Sequence, residues 1–152
     1  MRLQKYINDN GLEARILEFD SPTLTVEQAV KALKCHPEDI IKSIVVISST
    51  NDYYLVLLQG NRKIKTKKLK KLLNTKDIRL ASPPQVEHMT NYKTGDVPPI
   101  SVELPIIIDE LAIEHGGKLY GGGGGPSKLL QISIEELLDC THPLIADVSS
   151  PI

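Results

Sequence analysis

A chain of 152 residues with 41% apolar and 24% charged side chains has room for one core and the balance of an ordinary globular domain. With one Phe, five Tyr and no Trp, the core must be built from Ile, Leu and Val, and this scarcity argues against modules that stack single-stranded bases on aromatic rows. The net charge of -1 hides a local excess, because residues 62–71 (Arg-Lys-Ile-Lys-Thr-Lys-Lys-Leu-Lys-Lys) hold seven of the eighteen basic residues, and such a patch steers phosphate-bearing partners.

In chain order, Leu3, Tyr6 and Ile7 fall at helical spacing over residues 2–10, with Gly11 placed to stop the helix. Residues 14–19 alternate as a strand does. Thr25-Val-Glu-Gln28 is a capping-box pattern opening a helix with Val26, Ala29, Val30 and Leu33 on one side. Residues 37–40 turn the chain into a β-branched strand over 40–47, whose hairpin partner is 53–58 across 48–52. A helix is expected over 67–73, a short strand over 78–80, and a second capped helix from Ser82 with prolines in its first turn. Residues 93–101 carry Gly, Asp and two prolines and read as loop. Strands are expected over 102–108, 118–120 and 128–132, and Ser133 caps a last short helix. The pattern predicts one α+β domain spanning the chain, a mixed, mostly antiparallel curved sheet flanked by helices.

Three segments carry candidate chemistry. Lys42 stands in Ile40-Ile41-Lys42-Ser43-Ile44-Val45-Val46-Ile47, where both strand faces are apolar. An ammonium there either meets an anion or reaches for solvent along its stem. Gly95-Asp96-Val97-Pro98-Pro99 is stiffened by two fixed φ angles, so it reads as a rigid ligand loop or a plain connection. Gly121 to Gly125 is costly in entropy unless backbone must pass close to something, and its N–H groups are candidates for an anion nest; a floppy hairpin tip is the alternative. Pro126-Ser127-Lys128 puts proline where a nucleotide P-loop needs lysine, which rejects ATP or GTP.

G-x-S-x-G and HExxH are both absent. Cys35 and Cys140 lack CxxC spacing and the four histidines are scattered, so no metal or cofactor is expected. A hydrolase built from these parts would polarise a carbonyl with backbone N–H groups and rely on water or a substrate group to attack. No apolar leader and no run near ~20 apolar residues is present, and the expected setting is cytoplasmic, away from membranes.

In order along the chain, Thr25-Val-Glu-Gln-Ala29, Asp39-Ile-Ile-Lys42-Ser-Ile, Gly95-Asp-Val-Pro-Pro99, Ile106-Ile-Ile-Asp109, and Tyr120-Gly-Gly-Gly-Gly124 followed by Leu129-Leu130 resemble the YbaK/ProX family of aminoacyl-tRNA deacylases. That family also occurs as editing domains of prolyl-tRNA synthetase. The resemblance implies an editing fold and hydrolysis of mischarged aminoacyl-tRNA, with Cys or Ala on tRNA-Pro as the expected small amino acids. It implies Lys42 as the central catalytic side chain, holding the terminal phosphate or the ester. Gly95, Asp96, Val97, Pro98 and Pro99, together with Gly122, Gly123 and Gly124, would bind substrate. Lys63, Lys65, Lys67 and Lys68 would touch the tRNA backbone, a solvated helix face being the alternative for such a run. The implied partners are the 3′ acceptor end of aminoacyl-tRNA and an aminoacyl-tRNA synthetase. Asp96 departs from the family's G-G-x-x-P loop, Pro98 stands where cysteine-specific members often carry serine, Ser101 stands where glycine is frequent, and Gly125-Pro126 replaces a basic pair. These departures keep open a rival function, a catalytically silent module that binds charged tRNA ends or a synthetase.

Overall fold

The computed structural model describes residues 2–152. The chain runs α1 (Arg2–Asp9), β1 (Arg15–Glu18), α2 (Val26–Leu33), a short 3-10 turn (Pro37–Asp39), β2 (Ile41–Ser48) and β3 (Tyr53–Gln59). It continues through β4 (Arg62–Ile64), α3 (Thr66–Leu73), β5 (Ile78–Leu80), α4 (Pro83–Thr90) and β6 (Ile106–Asp109). Then follow α5 (Glu110–His115), β7 (Lys118–Gly122), β8 (Lys128–Ser133), α6 (Ile134–Thr141), β9 (Leu144–Ala146) and β10 (Ser149–Pro151).

Local chemistry sets the helix ends. Thr25, Ser82 and Ser133 each accept the N–H three residues on, from Gln28 at 3.1 Å, Gln85 at 3.4 Å and Glu136 at 3.2 Å. Gln28 and Gln85 reach back to their cap N–H, completing two capping boxes. Gly11, at φ +59°, lets the Leu12 N–H bond to the Ile7 carbonyl at 3.0 Å and ends α1.

The hairpin of β2 and β3, in register from Ile41 opposite Gln59 to Ile47 opposite Tyr53, lies within a five-stranded sheet ordered β5-β2-β3-β6-β9. Two of its pairings, β3 with β6 and β6 with β9, are parallel; the rest are antiparallel. An antiparallel sheet β1-β8-β7 and a ribbon β10-β4 complete the fold. Strand alternation divides the core between the two faces of the larger sheet. Leu55, Leu57, Ile41 and Val45 pack with Leu119, Leu130 and Ile132 of the smaller sheet and Leu3 and Leu137 of the terminal helices. Val56, Leu58 and Val46 pack on the opposite face beneath Leu69 of α3 and Val148.

The fold is the expected α+β domain, with corrections in its parts. Three sheets replace the single curved one, and the five- and three-stranded sheets meet where Ile40 bridges Tyr120. The strand expected over 102–108 begins only at Ile106, because Ser101 turns through φ +64° and Pro105 has no N–H for a ladder. The 67–73 helix starts one residue earlier, at Thr66. β4, β9, β10 and α5 were not expected. The glycine run is only partly loop, since Gly121 and Gly122 are paired in β7 with Leu130 and Leu129.

Candidate functional site

The outer edge of β2 is covered at both ends and open between them. β5 pairs with Val46, Ile47 and Ser48, and the Ala81 N–H donates to the Val45 carbonyl at 3.0 Å. At the other end β7 is bridged to the strand at Ile40, through Tyr120, and Gly121 packs on Ile41. The odd-numbered residues of β2 turn their N–H and C=O away from β3, as the Val45–Ala81 bond shows, so the Ser43 backbone faces the open edge.

A cavity of about 320 Å³ occupies this gap. Lys42, Ser43 and Ile44 form one wall, Gly95 and Val97 a second, Gly121 and Gly122 a third, and residues 23–26 the rim. Its lining has four hydroxyl side chains (Thr23, Thr25, Ser43 and Thr94) and one cation, and no Cys, His, Asp or Glu. The Ser43 Oγ is buried and has no hydrogen-bond partner among the described residues.

Lys42 is half-buried and donates from Nζ to the carbonyl of Arg62, the first residue of β4. Burial pushes its ammonium below the usual lysine range. No carboxylate pairs with it among the described residues. A half-buried cation without a counter-ion at a concavity is a candidate anion site. Lys42 lines a pocket wall, with a backbone carbonyl as its partner in place of open solvent.

The two flexible-looking segments are locked to each other. A Cβ on Gly122 would lie 2.3 Å from the Val97 carbonyl oxygen and 2.9 Å from that of Asp96. A Cβ on Gly121 would lie 2.9 Å from Ile41 Cγ2 and 3.1 Å from Pro99 Cδ. Gly122, Gly95 and Val97 thus reach the Lys42 cavity, whereas Asp96, Pro98, Pro99, Gly123 and Gly124 do not. Pro98 and Pro99 are buried behind the wall. The Gly123 N–H is taken by the Lys128 carbonyl at 3.1 Å and the Gly124 N–H by the Asp96 carbonyl at 3.0 Å, so neither is free for an anion nest. Close approach of backbone is what the run accomplishes.

The basic segment flanks the site through the Arg62 carbonyl that Lys42 touches. Lys63, Lys65 and Lys67 are exposed. Lys68 is committed internally, to Asp147 at 2.8 Å and to the Ser149 carbonyl at 3.1 Å. Sequence reasoning gave no site role to Ser43, Thr94 or residues 23–26, although it named Ser43 beside Lys42 and Thr25 and Val26 at the start of α2. Ser43 was legible as the neighbour of Lys42, but its open edge depends on β5 and β7 each stopping short. Outside the cleft, His115 meets Asp39 Oδ1 at 2.8 Å and the Gly116 carbonyl at 2.6 Å. Both ring nitrogens face acceptors, which selects the imidazolium. Among the described residues no group of three or more His, Cys, Asp or Glu is arranged to hold a metal, and no helix is long and apolar enough to cross a membrane.

The family model of the aminoacyl-tRNA editing domain matches residues 20–140. A proline–tRNA ligase of Halalkalibacterium halodurans is 31% identical over 144 residues, covering 92% of this chain and 24% of the ligase. That of Pseudothermotoga lettingae is 28% identical over 120 residues, covering 78% of this chain and 21% of the ligase. The chain therefore spans about a quarter or less of the length of these ligases. Among solved structures, a protein described only as hypothetical superposes with a TM-score of 0.92 at 30% identity, over 99% of this chain and all of the other. A candidate trans-editing enzyme for prolyl-tRNA synthetase superposes at 0.88 with 27% identity, over 98% of this chain and 95% of the other.

Proposed function

The chain belongs to the aminoacyl-tRNA editing domain family, and on that premise we propose that it hydrolyses the ester bond of mischarged aminoacyl-tRNA. The observation that carries the proposal is the half-buried Lys42 ammonium, without a carboxylate partner among the described residues, set in a cleft beside an open strand edge.

Lys42 binds the terminal phosphate or the ester region of the acceptor end and offsets negative charge there. The Ser43 N–H on the open edge and the Ser43 hydroxyl stand ready to donate to the ester carbonyl as it gains charge. The attacking group is water or a hydroxyl of the substrate itself, since the cavity lining offers no histidine or carboxylate as a base. Gly95, Val97 and Gly122 shape the wall against the acyl group, braced by Asp96, Pro98, Pro99, Gly123 and Gly124. A cavity of about 320 Å³ has room for a small acyl group, and Cys or Ala on tRNA-Pro is the proposed load. The proline–tRNA ligase relatives support that carrier and make a synthetase a candidate partner. The exposed Lys63, Lys65 and Lys67 run along the tRNA phosphates; a tRNA substrate sets the work in the cytoplasm.

The test follows ester loss from Ala-, Cys- and Pro-tRNA-Pro with wild type and Lys42→Ala. Loss of one well-placed charge-stabilising donor costs about 100-fold or more in kcat, and that is the expected drop. An undiminished rate in Lys42→Ala removes Lys42 from the chemistry. Absence of ester loss from every substrate with wild type, accompanied by weaker tRNA binding in the variant, replaces the enzyme with a silent binding module.

A further inference from the structure

Most walls of the Lys42 cleft have packed atoms behind them. Gly121 and Gly122 are backed by Ile41, Pro99 and the Val97 carbonyl, and Ala29, Ile40 and Leu129 belong to one buried apolar cluster. At the rim the situation differs. There the cleft borders a second cavity, of about 440 Å³, and the two share Leu24 and Thr94 in their linings. Leu24 lies on Gly95, where a Cβ would stand 3.2 Å from Leu24 Cδ2 and 3.4 Å from Leu24 Cβ. Gly95, at φ +90°, carries no side chain that would push Leu24 aside. The backbone on either side is pinned, by the Thr23 N–H to the Pro126 carbonyl at 2.8 Å and by the Leu24 N–H to Gln28 Oε1 at 2.9 Å. The partition is therefore one apolar side chain on a fixed backbone, and it is 43% exposed, so trimming it removes little of the core.

We propose that Leu24 is a specificity-determining residue, which bounds the acyl group in the cleft and shuts it off from the second cavity, so that a long unbranched acyl side chain is rejected in favour of a short one. This rests on the editing reading above. An acyl side chain that outgrows the cleft meets backbone at Gly121 and Gly122 and packed core at Ala29, Ile40 and Leu129, none of which yields without moving a strand or a helix. Past Leu24 it meets space. Cutting Leu24 back to its Cβ joins the two cavities while the backbone bonds of Thr23 and Leu24 stay in place, because neither involves the leucine side chain. Each methylene that a pocket admits or excludes changes selection by about 10–200-fold, so one leucine is enough to set the limit.

Two non-hydrolysable analogues test the assignment, 3′-deoxyadenosine carrying an alanylamido group at the 3′ position and its methionylamido counterpart, which differs only in the acyl side chain. Calorimetric Kd values are measured with wild type, Leu24→Ala and the volume-conserving Leu24→Ile, together with ester loss from Ala-tRNA by wild type. Wild type and Leu24→Ile are expected to favour the alanyl analogue about tenfold or more, and Leu24→Ala by no more than about twofold. Equal affinities in wild type, binding of neither analogue by it, a preference lost in Leu24→Ile, or one that survives Leu24→Ala each overturn the proposal. Loss of both analogues in Leu24→Ala overturns it too, by marking Leu24 as structural. Ester loss with a preference that survives Leu24→Ala sinks the Leu24 role alone; the expected change of preference without ester loss sinks the hydrolytic reading alone.

Discussion

Alanine at Gly122 tests whether the cleft depends on contact between its two loops. The added methyl would lie 2.3 Å from the Val97 carbonyl oxygen, 2.8 Å from the carbonyl carbon and 2.9 Å from the Asp96 oxygen. All three atoms are backbone, so no side chain can rotate away, and the residues on both sides are tied into β7 and the 95–99 loop. Gly122 does not adopt a positive φ, so the penalty is overlap alone. Overpacking of this kind costs about 3 kcal/mol, against which alanine recovers roughly 0.4–1 kcal/mol by restricting the unfolded chain. A net loss of about 2 kcal/mol lowers Tm by roughly 4–8 °C at this chain length. Gly125→Ala is the control within the same run, because its methyl would meet side-chain rather than backbone atoms, the nearest being Lys128 Cδ at 3.3 Å, and its Tm should move by about 1 °C or less. Thermal and urea unfolding of both variants supply the numbers, and deacylation kinetics report the displaced Val97 wall as a raised KM. If Gly122→Ala melts with wild type and keeps its KM, the loops do not brace each other as described.

Lys42→Met keeps the stem and removes the half-buried charge, so its Tm should equal or exceed that of wild type while ester hydrolysis falls about 100-fold; a large drop in Tm would mark Lys42 as structural. Mutation of Lys63, Lys65 and Lys67 together to Gln should leave Tm unchanged and flatten the salt dependence of tRNA binding by roughly 2–3 in logarithmic slope, whereas an unaltered slope removes that face from the interface. His115 is held above its usual pKa, chiefly by its hydrogen bond to Asp39. A raised folded-state pKa gives stability that is complete below the unfolded value of about 6.5 and lost as pH rises through the folded one. Asp39, held low by the His36 N–H and by His115, gives stability present above about 3.8 and lost as pH falls through its folded value. Wild type should therefore lose Tm as pH rises above about 6.5 and His115→Gln should lose less; parallel curves would show that the pair carries no linkage.

Much of this was legible because the signals are local. A β-branched run marked β2, and Thr25, Ser82 and Ser133 announced their helices with bonds spanning three residues. Lys42 stood out because a cation in an apolar strand needs an explanation wherever it points. Of the three-residue strands only β5 was read; β4, β9 and β10 are too short to show a period, and each is held by a partner far along the chain, such as Ser149 opposite Ile64. α5 begins where Asp109 would ordinarily cap it, yet that carboxylate is turned to the Val148 N–H and Ser149 Oγ, a long-range commitment that local reading could not supply. The same limit applied to the glycines. Five in a row suggested a nest or a floppy tip, while their surroundings, the Val97 carbonyl and the Lys128 backbone, are tertiary facts.

The cleft and the hazard it poses have a common origin. A strand with unpaired N–H and C=O groups is a template for foreign strands, and native sheets protect such edges with charge, short length or a cover. On β2 the unpaired stretch is confined to a few residues between Ile40 and Val46, too short for stable pairing with another chain. Lys42 places a charge at one end of it, and the 95–97 and 121–122 walls stand across its mouth. The features that keep a strand out are also those that suit a small ester: one cation, a free backbone donor at Ser43 and walls held apart at a fixed width. Lengthening β5 or β7 by two residues along β2 would extend the ladder and gain stability while closing the site. Gly122, which lets β7 pass against Val97, therefore sets the cleft's width from one side as the end of the β5 ladder at Val45 sets its length from the other.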